Sequence, residues 1–146
     1  RFIKEGNTVL DVGCGSGVLS VASVLLGAEQ VFAYDLDEVA IQSTKLNIKV
    51  NKVDSKVKVK QNNLLENVKE AADIIVANIL AEIILRFEND AFDRLKPGGV
   101  FITSGIIQKK KQDVKEGLVK AGFNILEINQ MEDWISIIAQ KPEESR

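Results

Sequence analysis

Short apolar runs alternate along this chain with stretches in which apolar residues return every three or four positions. The runs "TVLDV", "QVFAYD", "KVKVK", "DIIVAN" and "VFITS" predict five strands. Between the first two, "GVLSVASVLLG" predicts a helix that Gly27 ends, and residues 38–51 predict a second helix with Asp37 as its N-cap. Leu80, Ile84, Phe87, Ala91 and Leu95 recur at helical spacing and predict a third, followed by a turn at "KPGG". Val114, Leu118 and Ala121 mark a fourth, stopped by Gly122. "DIIVAN" is apolar as a buried parallel strand is, whereas "KVKVK" alternates with period two and suits an edge whose lysines discourage further pairing. "FNILEINQ" and "EDWISIIAQ", joined by few residues, predict an antiparallel hairpin. The pattern is α/β: a Rossmann-like, seven-stranded, mostly parallel sheet with helices on both faces and a C-terminal antiparallel hairpin.

Composition narrows what such a sheet is for. At 146 residues the chain reads as one domain, 1–146, with enough surface to bury a core of its own. Its 19 basic and 21 acidic side chains are interspersed, so no stripe grips a phosphate backbone and no stable nucleic-acid binding is expected. Lys109, Lys110 and Lys111 read as a solvated face at the start of a helix, with contact to RNA as the alternative. Without histidine, and with Cys14 as the single cysteine, disulfides, triad hydrolysis and zinc chemistry are disfavoured, and no metal is expected. No apolar run approaches the roughly 20 residues of a membrane helix, so a cytoplasmic location with no membrane partner is expected. The start at Arg1, without methionine and almost directly before the first strand, predicts a fragment of a longer protein.

Candidate chemistry centres on "VLDVGCGSGVLSVA", where Gly13, Gly15 and Gly17 separate a strand from a helix. The dinucleotide fingerprint needs its third glycine at position 18, which is valine. Asp11, ending the first strand, would repel a pyrophosphate but attract the ammonium and sulfonium of S-adenosylmethionine. The helix start after Gly17 offers backbone N–H groups to that molecule's carboxylate. Asp35, ending the second strand, can accept both ribose hydroxyls of an adenosine. Asp37 reads as a cap, Glu38 as a charge favouring the helix dipole, and Cys14 as a small apolar group packed beside the loop.

"LDVGCGSG" with the acid of "YDLD" resembles the class I S-adenosylmethionine-dependent methyltransferases over nearly the whole chain. "NNLLE", "DIIVANILAEII", "LKPGGVFITSGI" and "AGF" are similar, more narrowly, to the methyltransferase family of large-subunit ribosomal protein eleven. That resemblance implies a cofactor set of Asp11, Gly13, Cys14, Gly15, Gly17, Asp35, Leu36, Asn63, Leu64 and Asn78, with Asn78 facing the methyl acceptor as the catalytic residue. Relatives carry an aspartate where this chain has Asn63, whose amide oxygen accepts the same adenine hydrogen bond without the charge. It also implies an upstream segment and an N-terminal substrate-recognition domain that these residues do not contain.

An amine attacking a sulfonium methyl must be neutral and gains positive charge as the methyl arrives, so it needs hydrogen-bond acceptors. Asn78, at the end of the fourth strand, can supply them; the alternative is a plain helix N-cap before "ILAEII". Ile79 and Leu80 cannot stack a flat substrate, which favours an aliphatic amine; the resemblance implies a lysine side chain or an N-terminal amine of a large-subunit ribosomal protein. No strong base is evident to deprotonate it. Trp134 reads as core or interface packing. The competing readings are a methyltransferase with another protein or small-molecule amine, a cofactor-binding module without turnover, and a nucleotide-dependent oxidoreductase.

Overall fold

A computed structural model describes residues 2–143. Its elements run in the order β1 (Thr8–Val12), α1 (Val18–Leu25), β2 (Gln30–Asp35), α2 (Glu38–Val50), β3 (Val57–Gln61), β4 (Ala72–Asn78), α3 (Ala81–Arg94), β5 (Leu95–Ile107), α4 (Lys111–Ala121), β6 (Asn124–Met131) and β7 (Trp134–Gln140). One seven-stranded sheet has the order β3-β2-β1-β4-β5-β7-β6. Strands β1 to β5 are parallel, and β7 lies antiparallel between β5 and β6. The chain reverses its direction of travel across the sheet between β1 and β4, and in such sheets ligands bind beyond the carboxyl ends of the strands at that point.

Alternation along the strands builds two cores. Leu10, Val12, Ile75, Phe101 and Ile137 meet Ile84, Phe87 and Leu118 of α3 and α4 on one face. Val9, Val31, Ile74, Val76 and Val100 meet Val21 and Ile48 of α1 and α2 on the other. Period two therefore sends Asp11, two residues beyond Val9, to the α1 face, where Ser20 meets it. Local chemistry fixes the helix ends: the Asp37 carboxylate accepts the Val39 N–H at 2.9 Å, and Gly122 closes α4 in the left-handed region at φ 114°.

Several expectations are corrected. "KPGG" is not a turn between elements but a bulge inside β5: Ala72 pairs with Leu95 and Ile74 with Val100, so Lys96 to Gly99 loop out while the Gly98 N–H bonds the Lys141 carbonyl. Leu80 does not belong to the buried stripe of α3; it stands in extended conformation before the first turn and is 61% exposed, because the helix starts one residue later. Leu95 is buried, but as the first residue of β5. Of the two readings of Trp134, core packing is excluded: it pairs with Met131 beside the hairpin turn and is 55% exposed.

Candidate active site

The glycine loop is held from two sides. The Gly13 and Cys14 N–H groups both donate to the Tyr34 carbonyl of β2, at 2.8 and 2.9 Å. From α2, the Thr44 hydroxyl donates to the Gly15 carbonyl at 2.9 Å and Asn47 donates to the Ser16 carbonyl at 2.7 Å. Gly17, at φ 86°, leaves no room for a side chain, since a Cβ there would lie 2.9 Å from a Thr44 methyl. The loop's shape is thus set by a strand and a helix that lie later in the sequence.

Asp35 closes the arrangement. One carboxylate oxygen accepts the Gly15 N–H at 2.9 Å, and the other accepts the Asp37 N–H at 2.9 Å. Each oxygen keeps a lone pair for a further donor. A cavity of about 220 Å³ opens beside it, lined by Gly13, Asp35, Leu36, Asn63, Leu64, Ile79, Ile83 and Arg86 among others. Asn63 donates through Nδ2 to Glu66 at 3.1 Å, which leaves its oxygen as an acceptor. Leu36 and Leu64 follow β2 and β3, Ile79 precedes α3 and Ile83 lies in its first turn; the four give the cavity its apolar lining.

Asp11 sits behind the loop rather than in the cavity. It is closed to solvent, Ser20 donates to its Oδ2 at 2.7 Å, and its Oδ1 has no partner. Burial raises its pKa to about 6, the Ser20 hydroxyl opposes that rise, and the charge of Asp35 adds to it. Cys14 is buried as expected, and burial foremost pushes its thiol up to about 11, which makes it a poor nucleophile at neutral pH.

Asn78 ends β4 with an exposed side chain, level with Ser104 on β5. The helix-cap alternative fails here: the residue preceding α3 is Leu80, and no side chain caps that helix. Sequence reasoning missed Ser20, Thr44, Asn47, Ile83 and Arg86. Ile83 and Arg86 follow Ile79 at helical spacing, a signal that was available; Ser20, Thr44 and Asn47 act through neighbours that only the folded chain supplies. Among the described residues no group of three or more His, Cys, Asp or Glu side chains is placed to hold a metal, and no helix is long and apolar enough to cross a membrane.

A parallel sheet reversed between β1 and β4, a glycine loop at the reversal, an acid ending β2 and an inserted antiparallel last strand define the Rossmann-like methyltransferase class of fold. The family model described as ribosomal protein L11 methyltransferase (PrmA) matches residues 1–142, and the chain belongs to that family. It is 62% identical over 143 residues to the ribosomal protein L11 methyltransferase of Oceanobacillus iheyensis, covering 98% of this chain and 45% of that protein. Its identity to the Bacillus subtilis protein of the same name is 60% over 141 residues, covering 97% and 45%. The chain thus spans less than half the length of these curated relatives. Among solved structures, a ribosomal protein L11 methylase from Lactobacillus delbrueckii subsp. bulgaricus superposes with a TM-score of 0.89 at 33% identity, covering 94% of this chain and 71% of that one. A methyltransferase from Pyrococcus furiosus shares the fold, with a TM-score of 0.84 at 22% identity, covering 97% and 78%.

Proposed function

We propose that this chain binds S-adenosylmethionine across the carboxyl ends of β1, β2 and β4 and catalyses methyl transfer to amino groups of ribosomal protein L11. The observation that carries the proposal is the gathering of Gly13, Asp35, Leu36, Asn63 and Leu64 around one cavity, with Asn78 on the neighbouring strand end, in a chain of this family. Bound there, S-adenosylmethionine would supply an electrophilic methyl on a sulfonium.

The residues fit that molecule part by part. Asp35 keeps two acceptor positions for ribose hydroxyls, Asn63 offers an amide oxygen to the adenine amino group, and the leucine and isoleucine lining suits a flat base. Asp11, closed to solvent behind the loop, favours the ammonium end by its charge rather than by direct contact, and the first turn of α1 after Gly17 suits the carboxylate. Cys14 packs under the loop and shapes it. Against a dinucleotide stand Val18, where the third glycine of that fingerprint would be, and the carboxylate of Asp11 behind the loop, although Arg86 lines the cavity.

Asn78 acts on the acceptor. Its carboxamide oxygen and the carbonyls of the strand end accept the amine's N–H bonds, which aims the lone pair at the methyl and stabilises the charge that develops. The amine reaches the site neutral, having lost its proton to solvent as it is desolvated. Lysine side chains and an N-terminal amine both meet this description. The longer relatives hold the larger part of their length outside the matched region, and we assign recognition of L11 to a domain there; docking through it would raise the local concentration of the amine.

Calorimetric titration with S-adenosylmethionine, its demethylated product and NAD, together with labelled-methyl transfer to purified L11, tests the proposal. Binding of the first two, no binding of NAD, and label in L11 are expected, with transfer slower than by the full-length Oceanobacillus iheyensis protein by up to ~10²–10⁴-fold. Binding without label under any condition would favour a cofactor-binding module, and binding of NAD alone would end the methyltransferase reading.

A further inference from the structure

Two glycines flank the Asn78–Ile79 step. On one side a Cβ at Gly13 would lie 2.6 Å from the Ile79 side chain. On the other, a Cβ at Gly105 would lie 2.7 Å from Oδ1 of Asn78 and 3.4 Å from the Ile79 carbonyl. Gly105 holds φ 80°, and it occupies an irregularity of β5: Thr103 pairs with Ile137 of β7, but Ile106 pairs with Ile135, so β5 carries one extra residue there. Asn78 is level with Ser104, so the bulge stands directly beside the end of β4. Bulges of this kind re-aim neighbouring side chains.

The contact at Gly105 differs from an ordinary packing requirement. Its nearest neighbour is the free end of an exposed side chain, which a methyl group can push aside without moving backbone. A side chain at position 105 would therefore turn the Asn78 carboxamide and leave the sheet in place. We infer that Gly105 is a positioning residue: the bulge brings bare backbone against Asn78 and thereby sets the direction in which its carboxamide points. The functional half of this inference rests on the role proposed above for Asn78, while the orientation itself does not.

Two substitutions separate the requirement for space from the requirement for positive φ. Gly105→Ala adds a Cβ where φ disfavours it; Gly105→Asn adds a Cβ but tolerates the left-handed region. The side-chain amide resonances of Asn78, identified in the ¹⁵N spectrum of the labelled chain by their absence from Asn78→Ala, report its direction without any turnover. Both variants are expected to fold, to move those resonances, to bind S-adenosylmethionine within about 2-fold of the parent and to lose methyl transfer through kcat by ~10-fold or more. In the Asn78→Ala background, Gly105→Ala is expected to cost no further kcat, because its effect runs through the missing side chain. Unmoved Asn78 resonances in a folded Gly105→Asn variant, or full kcat in it, would overturn the inference, as would an equal kcat loss in the Asn78→Ala background. Should Asn78→Ala itself turn over normally, the proposed role of Asn78 fails, and the resonances alone decide whether Gly105 aims it.

Discussion

The carboxylate of Asp35 accepts the backbone N–H of Gly15 at 2.9 Å, so the acid that ends β2 is also a strut of the glycine loop. Its removal should therefore act twice, on the ligand and on the loop. Asp35→Ala is expected to weaken S-adenosylmethionine binding by at least ~10²-fold, since hydrogen bonds to a charged group contribute about 1.5–3 kcal/mol each. It should also speed hydrogen exchange at the Gly15 amide. Unchanged affinity by calorimetry, in a variant whose circular dichroism matches the parent, would remove Asp35 from the binding site.

Asn78 caps no helix, which makes its truncation a clean probe. Asn78→Ala should keep its Tm within about 1–2 °C of the parent and bind cofactor normally, while losing ~10²-fold or more in kcat, the cost typical of removing one preorganised partner of developing charge. A variant that melts early yet turns over normally would return this residue to a structural role.

Thr44 was an unremarkable position in an amphipathic helix until α2 was placed against the loop. Thr44→Val keeps the shape but removes the donor to the Gly15 carbonyl, so about 1–2 kcal/mol of stability should be lost. Urea unfolding should show a lower midpoint with an unchanged slope. An unmoved midpoint would mean that water or another donor replaces the hydroxyl.

The pH dependence follows from Asp11. Its pKa rises on folding from 3.8 to about 6, so the folded chain holds this proton more tightly than the unfolded one. The resulting stabilisation is fully present below pH 3.8 and is lost as pH rises through 6; ionised Asp11 then costs on the order of 3 kcal/mol. Asp11→Asn does not titrate, so the stability difference between parent and variant should shift by that order between pH 4 and pH 7.5, with the parent relatively weaker at the higher pH. Paired urea titrations at both values check this, and a difference independent of pH would show that Asp11 ionises as freely as in the unfolded chain.

The strands were legible because most are apolar runs and the edge strand β3 alternates with period two, and the loop because three glycines and two strand-ending acids stand at telling distances. What sequence concealed was whatever depends on a distant neighbour. Nothing in "IQSTKLNI" marks Thr44 and Asn47 as tethers of a loop thirty residues earlier. The bulge at Lys96 to Gly99 looked like a turn because its residues are turn formers, and only the pairing of β4 with both of its sides makes it one strand. Trp134 had two readings, core or interface packing, and its exposure at the end of β7 removes the core one. Asn78 had two open readings, and the start of α3 at Ala81 rather than Ile79 removed the capping one.

The insertion of β7 between β5 and β6 also bears on how the chain is made. On a ribosome the N-terminal strands emerge first and can pair as they appear, β1 with β2 and later β4, but β6 emerges before the strand that joins it to the sheet. It must wait for Trp134 to Gln140. Until those residues clear the exit tunnel, β5 presents a bare apolar edge and β6 has no strand neighbour, the two conditions under which nascent chains adhere to one another. A chain cut short before Trp134 would therefore be sticky, and β7 serves as the seal on this edge of the sheet.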